Sequence, residues 1–291
     1  MSAVVFRVAK EAEQSVAKVC RALNVSRSTL YARRTRPPSR RSRETAAIDL
    51  EVKAAFDEHR GRYGSPRLHR ELHERGRRVS RKRVARRMKE LGLRARRPTR
   101  YRVTTQADGS PVAPNLLARR FDGHAPNEVW VGDVTYIWTL EGWLYLAILI
   151  DLGTRGIVGW ATSEWCDTSL CLLALERAVA RYHPSKGLMH HTDRGSTYTS
   201  EAYQKRLRAL GIVTSMSRKG NCWDNAVAES TIGTIKAELL DDMPLATRRA
   251  VTQELFLYIE AYYNRRRRHS ALGYRAPVDV QFDLLAKAQS A

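Results

Sequence analysis

The run of residues 128–216 restricts this chain most, because its side-chain pattern moves from strand periodicity to helix periodicity and back. Residues 128–138, 142–151 and 156–162 read as strands, with turns at Glu141-Gly142 and Gly153-Thr154. Turns this short join antiparallel neighbours, so the three strands form a meander. Helix 168–182, strand 187–192, helix 200–210 and strand 212–216 then alternate. The expected class is α/β, a mixed five-stranded sheet flanked by helices. In the first strand, alternation places Val129, Val131, Thr135 and Ile137 on one face with Asp133. A carboxylate on an apolar face is costly unless it is paired or bound to a metal.

Two further acids stand out. Asp193 follows the apolar run Gly187–Thr192 and precedes the turn signal Arg194-Gly195-Ser196, which puts it at a strand mouth. Glu229 lies on a helix whose apolar stripe is Ala228, Ile232, Ile235 and Leu239, with Asn225, Glu229 and Lys236 on an adjacent stripe. Taken singly, each acid has an ordinary role: a turn cap, a solvated helix residue, a buried hydrogen-bond acceptor. Their flanking words say more. There are 35 residues between Asp193 and Glu229, and His191-Thr-Asp-Arg-Gly-Ser196 and Trp223-Asp-Asn-Ala-Val-Ala-Glu-Ser230 resemble the signature of the DDE transposases and retroviral-type integrases. The resemblance is in particular to the second-frame protein of the IS3 family of insertion sequences.

That resemblance implies a ribonuclease H-like core in which Asp133, Asp193 and Glu229 meet as catalytic residues. It implies two Mg2+ ions, with Mn2+ able to substitute: Asp133 bridging both, Asp193 holding one and Glu229 the other. Carboxylates suit Mg2+, which prefers hard oxygen ligands. Lys236 is expected to meet a DNA phosphate, Asn225 and Thr135 to support the acids, and Arg218-Lys219-Gly220 to form a loop over the DNA. Trp223 is expected in the core. The family often carries two aromatics where this chain has Thr231-Ile232. His190 and His191 make a poor metal site, since neighbouring strand residues point to opposite faces and no cysteine is suitably spaced. No nucleophile elbow is present.

The net charge of +21 is confined to one end. Residues 1–120 carry 32 Lys and Arg against 11 Asp and Glu, whereas residues 121–291 carry 19 of each. So polarised a charge is the footprint of a polyanion such as double-stranded DNA. Within it, residues 1–36 read as a helix-turn-helix: Val16, Val19, Cys20 and Leu23 line a first helix, Ser26 caps a second, and Arg27, Ser28, Thr29 and Arg33 face outward. An ordinary helical hairpin fits the same pattern. After Pro37 and Pro38 comes an arginine-rich linker, and residues 44–96 read as a trihelical unit. Its first helix is marked by Ile48, Val52, Ala55 and Phe56, its second starts at Ser65-Pro66, and its third is capped by Ser80 and stopped by Gly92. Arg81, Lys82, Arg83, Arg86, Arg87 and Lys89 crowd that third helix, as a groove-entering or phosphate-tracking helix requires. Tyr63-Gly-Ser-Pro-Arg67, Val84 and Gly92-Leu93 are similar to the helix-turn-helix block of the IS3 protein.

Residues 94–120, with 97–120 as the linker proper, read as a basic connection interrupted by Pro98, Gly109, Pro111 and Pro114, and the catalytic core with its helical extension as residues 121–285. Asn264, Arg267, His269, Leu272, Gly273 and Pro277 match the terminal block of the IS3 protein. Arg265–Arg268 either grip DNA or solvate a helix end, while Tyr262, Tyr263 and Tyr274 pack. No run approaches the roughly 18 apolar residues of a membrane span, and Cys20, Cys166, Cys171 and Cys222 are scattered. A cytoplasmic, DNA-associated protein without a membrane partner is expected. Three functions compete: a transposase that frees a 3′-OH by hydrolysis and joins it to another strand, a catalytically silent product that only binds and regulates element ends, and a ribonuclease H-like nuclease acting on hybrids, which would not require the long basic arm or the tail block. The reaction logic implies a homo-oligomer on DNA. The absence of a heptad run leaves room for a first-frame helix-turn-helix and leucine-zipper protein as fusion or partner.

Overall fold

The computed structural model describes residues 2–35, 37–96, 113–219, 221–241 and 243–289. Pro98, Gly109 and Pro111, Gly220, and the side chains of Thr29 and Arg33 lie outside the described residues. Three short helices come first: α1 (Ser2–Glu11), α2 (Val16–Ala22) and α3 (Arg27–Thr35). They close on Ala9, Val19, Cys20 and Leu30. Ser15 caps α2 by accepting from the Lys18 amide. Leu23, expected on the inner face, is 51% exposed, because α2 stops at Ala22 and Leu23 leaves the helical stripe.

The next unit is α4 (Arg40–Glu58), α5 (Ser65–Glu74) and α6 (Arg81–Glu90). Here the expected arginine-rich linker is corrected, since Ser39 caps α4 and the arginines after Pro38 already lie on it. Ile48, Val52, Ala55, Leu68, Leu72, Val84 and Met88 are buried together. On α6, Arg81, Lys82, Arg86 and Lys89 are exposed. Arg83 and Arg87 are not turned outward as expected. Each stands one position before a buried residue, Val84 or Met88, and so borders α4: Arg83 reaches Glu44 and Thr45, and Arg87 takes both carboxylate oxygens of Asp49 at 2.5 and 2.6 Å.

Residues 113–120, expected as linker, are largely exposed but anchored to the sheet. Leu117 is buried, and the amides of Leu116 and Leu117 donate to the Ser215 hydroxyl. The sheet follows: β1 (Val129–Thr139), β2 (Gly142–Asp151) and β3 (Ile157–Ser163) form the antiparallel meander, with Gly142 at φ +95° closing the first turn. After α7 (Thr168–Tyr182), β4 (Met189–Thr192) pairs parallel with β1. A single turn, α8 (Ser196–Thr199), precedes α9 (Glu201–Ala209), and β5 (Val213–Met216) pairs parallel with β4. The strand order is β3-β2-β1-β4-β5. Trp130, Leu149 and Val158 face α7 and α9, whereas Val129, Val131 and Ile148 face the later helices.

Those later helices are α10 (Ala226–Ile235), which runs into a π-helical turn at Lys236–Leu240, α11 (Arg248–Phe256), which runs into a longer one at Leu257–Tyr263, and α12 (Pro277–Gln289). Tyr262 and Tyr263 are buried. Three of the four arginines of the run are held by acids of this chain. Arg266 pairs with Glu58, Arg267 with the buried Glu238, and Arg268 with Glu71 and Glu74; only Arg265 of the four is exposed with none of these pairs. The tail is thereby fastened to α4 and α5, helped by hydrogen bonds of Tyr63 and Arg67 to the carbonyls of Arg266 and Arg268. Among the described residues no helix is long and apolar enough to cross a membrane.

Candidate active site

Asp133 sits in the middle of β1, 8% exposed, and accepts a 2.8 Å hydrogen bond from the Val134 amide. The residue before it has no room for a side chain: a Cβ on Gly132 would lie 2.8 Å from Cε1 of His190. β1 and β4 can therefore pair parallel here, in the register Val129↔Met189, Trp130↔His190, Val131↔His191. Carried two residues on, this register brings Asp193 out of the end of β4 beside Asp133. Asp193 accepts from the Gly195 amide at 3.0 Å, the turn that its sequence announces. Glu229 arrives on α10, and Asn225, just before that helix, donates to the Gly132 carbonyl at 3.1 Å, tying the helix entrance to β1 next to Asp133.

The three carboxyls share one electrostatic environment. Burial pushes the Asp133 pKa well above the ordinary value, and the charges of Asp193 and Glu229 push it further, against the pull of Lys236. Glu229 is raised by burial and then by Asp193. Lys236, lowered by its own burial, lies over the Tyr136 ring with Nζ 5.1 Å from the centroid. Thr135 Oγ1 and Asn225 Oδ1 are buried without a hydrogen-bond partner among the described residues. As they stand, no three His, Cys, Asp or Glu side chains among the described residues close around a common point at ligand distance.

His190 and His191 are pushed down to a pKa of about 4 by burial and hold strands rather than ions. His190 meets the Tyr203 hydroxyl at 2.9 Å, and His191 those of Ser215 and Ser217 at 2.8 and 3.2 Å. The loop expected over the DNA is partly fastened: Arg218 makes three hydrogen bonds to the fully buried Asp224, which also takes Arg119 and Asn115. Lys219 is exposed. Trp223 is corrected from core to surface at 69% exposed, because the 3-10 turn Cys222–Asn225 points its neighbours Asp224 and Asn225 inward and leaves the indole out. Sequence reasoning missed Asp224, an isolated acid whose partners are six and 105 residues away. It missed also the exposed cluster of Tyr136, Trp138 and Trp143, although aromatics at alternate positions of a strand were there to be read.

Comparison with known families bears on the fold and the family. The chain matches the family model of the integrase core domain over residues 123–222, a second model of the same description over 210–277, and that of an HTH-like domain over 42–101. With the strand order above, the sheet is the ribonuclease H-like core, preceded by a helical, HTH-like unit. The transposase for insertion sequence element IS904 of Lactococcus lactis is 44% identical over 247 residues, 84% of this chain and 98% of the relative. An insertion element IS600 protein of 31 kDa from Shigella sonnei is 44% identical over 260 residues, 89% and 96% of the two chains. Transposase InsF for insertion sequence IS3A of Escherichia coli is 40% identical over 286 residues, 97% and 99% of the two. With such identity along nearly its whole length, the chain belongs to the IS3 family of insertion-sequence transposases, enzymes of the polynucleotidyl-transferase superfamily.

Proposed function

We propose that this chain cuts and joins DNA at the ends of its insertion sequence in a Mg2+-dependent reaction, with Asp133, Asp193 and Glu229 as its catalytic carboxylates. The observation that carries the reading is the convergence of three acids from β1, the mouth of β4 and α10, with burial and mutual repulsion raising the pKa of the central one. Such a set is strained until a cation joins it, and its donors are the hard oxygens that Mg2+ prefers. The residues therefore fit the metal, which Asp133, Asp193 and Glu229 would hold. Bound there, two Mg2+ ions would activate the attacking oxygen and neutralise charge on the leaving one.

The chain's own groups have separate tasks. The amides of Val134 and Gly195 fix two carboxylates. Asn225 holds the entrance of α10 against β1, which keeps Glu229 near Asp133. Thr135, whose buried Oγ1 has no hydrogen-bond partner among the described residues, would support the acids, and Lys236, resting on Tyr136, would present a cation to a phosphate near the cut. Water attacks first and frees a 3′-OH; that 3′-OH then attacks a second phosphodiester, exchanging one bond for another without ATP. Arg27, Ser28, Arg81, Lys82, Arg86 and Lys219, exposed on the helical units and the loop, are the proposed contacts to terminal-repeat and target DNA. Residues 1–36, 44–96 and 121–285 act as the end-reading and catalytic parts, in the cytoplasm on the nucleoid. A first-frame helix-turn-helix protein, fused or associated, remains compatible with these surfaces.

The test is cleavage and joining of labelled element-end DNA with Mg2+, comparing the wild type with Glu229→Gln, which keeps shape and removes charge. Products should vanish while DNA binding persists. Products that survive the change would refute the assignment, and binding without products in both proteins would favour the silent regulator. Joining two ends calls for at least two copies, so light scattering on paired ends should give a dimer or larger; one copy per pair would exclude that.

A further inference from the structure

We propose that the cavity behind the Glu229 helix is a second anion site, separate from the three acids, built for a phosphate-type oxyanion. It is a half-open pocket of about 260 Å3, lined by Arg67, Arg155, Arg267, His269, Ser230 and Thr234 among others. A water occupies about 30 Å3 in the liquid, so an oxyanion fits with part of its hydration. Ser230 and Thr234, with Val227 and Thr231, recur at the spacing of one helical face, opposite the stripe of Asn225 and Glu229. The cavity therefore lies on the far side of α10 from the active-site carboxylates.

Its charge is unbalanced. No carboxylate is among its described lining residues, which bring together three guanidinium groups from α5, the β2–β3 turn and the tail. Two acids answer them from outside. Glu238 clasps Arg267 at 2.7 Å and stands 3.7 Å from Arg67, while the Asp122 side chain on Arg155 is 88% exposed and screened by water. Three cations thus share one buried counter-charge. The consequence shows in the neighbours: burial, then the repulsion of Arg267, disfavours the Arg67 charge. Burial, then Arg267, Arg67 and Arg155 in turn, keep His269 neutral. Guanidinium forks flanked by hydroxyls are the donors that phosphate oxygens take, and an anion here would relieve that repulsion. It would also bridge α5, α10 and the tail, linking the end-reading helices to the helix that carries Glu229.

A phosphodiester of bound DNA and free inorganic phosphate offer the same chemistry. The full chain is melted in inorganic phosphate and in chloride at equal ionic strength, and the salt dependence of its affinity for duplex DNA is measured alongside. Phosphate should raise the wild-type midpoint by about 2 °C or more, and Arg155→Gln should lose that response. Ser230→Glu, at an exposed position, places a tethered carboxylate in the cavity; it should be more stable without phosphate and indifferent to it. A salt slope smaller by about 1 in Arg155→Gln identifies the source as DNA; an unchanged slope with the phosphate response intact identifies a free anion. Phosphate and chloride melts that coincide, together with unchanged slopes in both variants, would overturn the site.

Discussion

Arg267→Met should unfold the protein more readily than any exposed arginine substitution, and the structure sets the size. The side chains of Arg267 and Glu238 are 6% and 5% exposed. Arg267 gives Nε to both Glu238 oxygens at 3.1 and 2.9 Å and Nη2 to one at 2.7 Å. Methionine fills much of the volume and supplies none of these donors, so a carboxylate is stranded in the interior. Breaking a buried pair from one side costs about 3–5 kcal/mol. Two groups soften the loss: the Tyr258 hydroxyl still donates at 2.8 Å and Arg67 stands 3.7 Å away. The low end, about 3 kcal/mol, is expected, which for a chain of this size is a fall in melting temperature of roughly 6–12 °C. The double variant Arg267→Met/Glu238→Gln removes the stranded charge while keeping an acceptor for Tyr258, and should recover at least half of the loss. Thermal melts of the full chain at pH 7, followed by circular dichroism, read both. A single variant costing under about 1 kcal/mol, or a double less stable than the single, would refute the reasoning, because either result means that Glu238 is not the buried charge that needs Arg267.

Two other outcomes follow from the same geometry. Replacing Arg81, Lys82 and Arg86 together by Ala should weaken duplex binding and reduce the salt slope by about 3, whereas Arg87→Ala, which removes the Asp49 clasp, should lower stability and leave the slope alone; equal slope changes would place the DNA face elsewhere. His191 is depressed to about 4 by burial, so between about pH 6.5 and 4 the unfolded chain binds its proton and the folded chain does not. The stability due to this neutral histidine is present above pH 6.5 and lost as pH falls toward 4, at up to about 1.4 kcal/mol per pH unit. The difference between wild type and His191→Gln in urea unfolding should shrink across that window, and a constant difference would show that the fold leaves the ring's proton affinity unchanged.

The sheet and the three acids were legible because they rest on local rules. Alternation declared the β1 face of Asp133, a turn signal declared the strand mouth of Asp193, and an apolar stripe declared the helix of Glu229. Helix caps at Ser39 and Ser80 were equally local, yet only Ser80 was read, since the arginines after Pro38 looked like linker when charge alone was counted. Charge is where local reading stops. Arg86 and Arg87 are adjacent on one helix, and what separates them is Asp49, 38 residues earlier, which closes on one of them. Arg265 and Arg267 differ in the same way, through Glu238. A guanidinium is directed by the carboxylate the fold brings to it, and that carboxylate arrives by tertiary packing, which periodicity does not encode. Hence the composition that announces a polyanion partner overstates the surface offered to it: Arg83, Arg87, Arg266, Arg267 and Arg268 join helices to one another, and the DNA-facing charge must be sought among those that no acid holds.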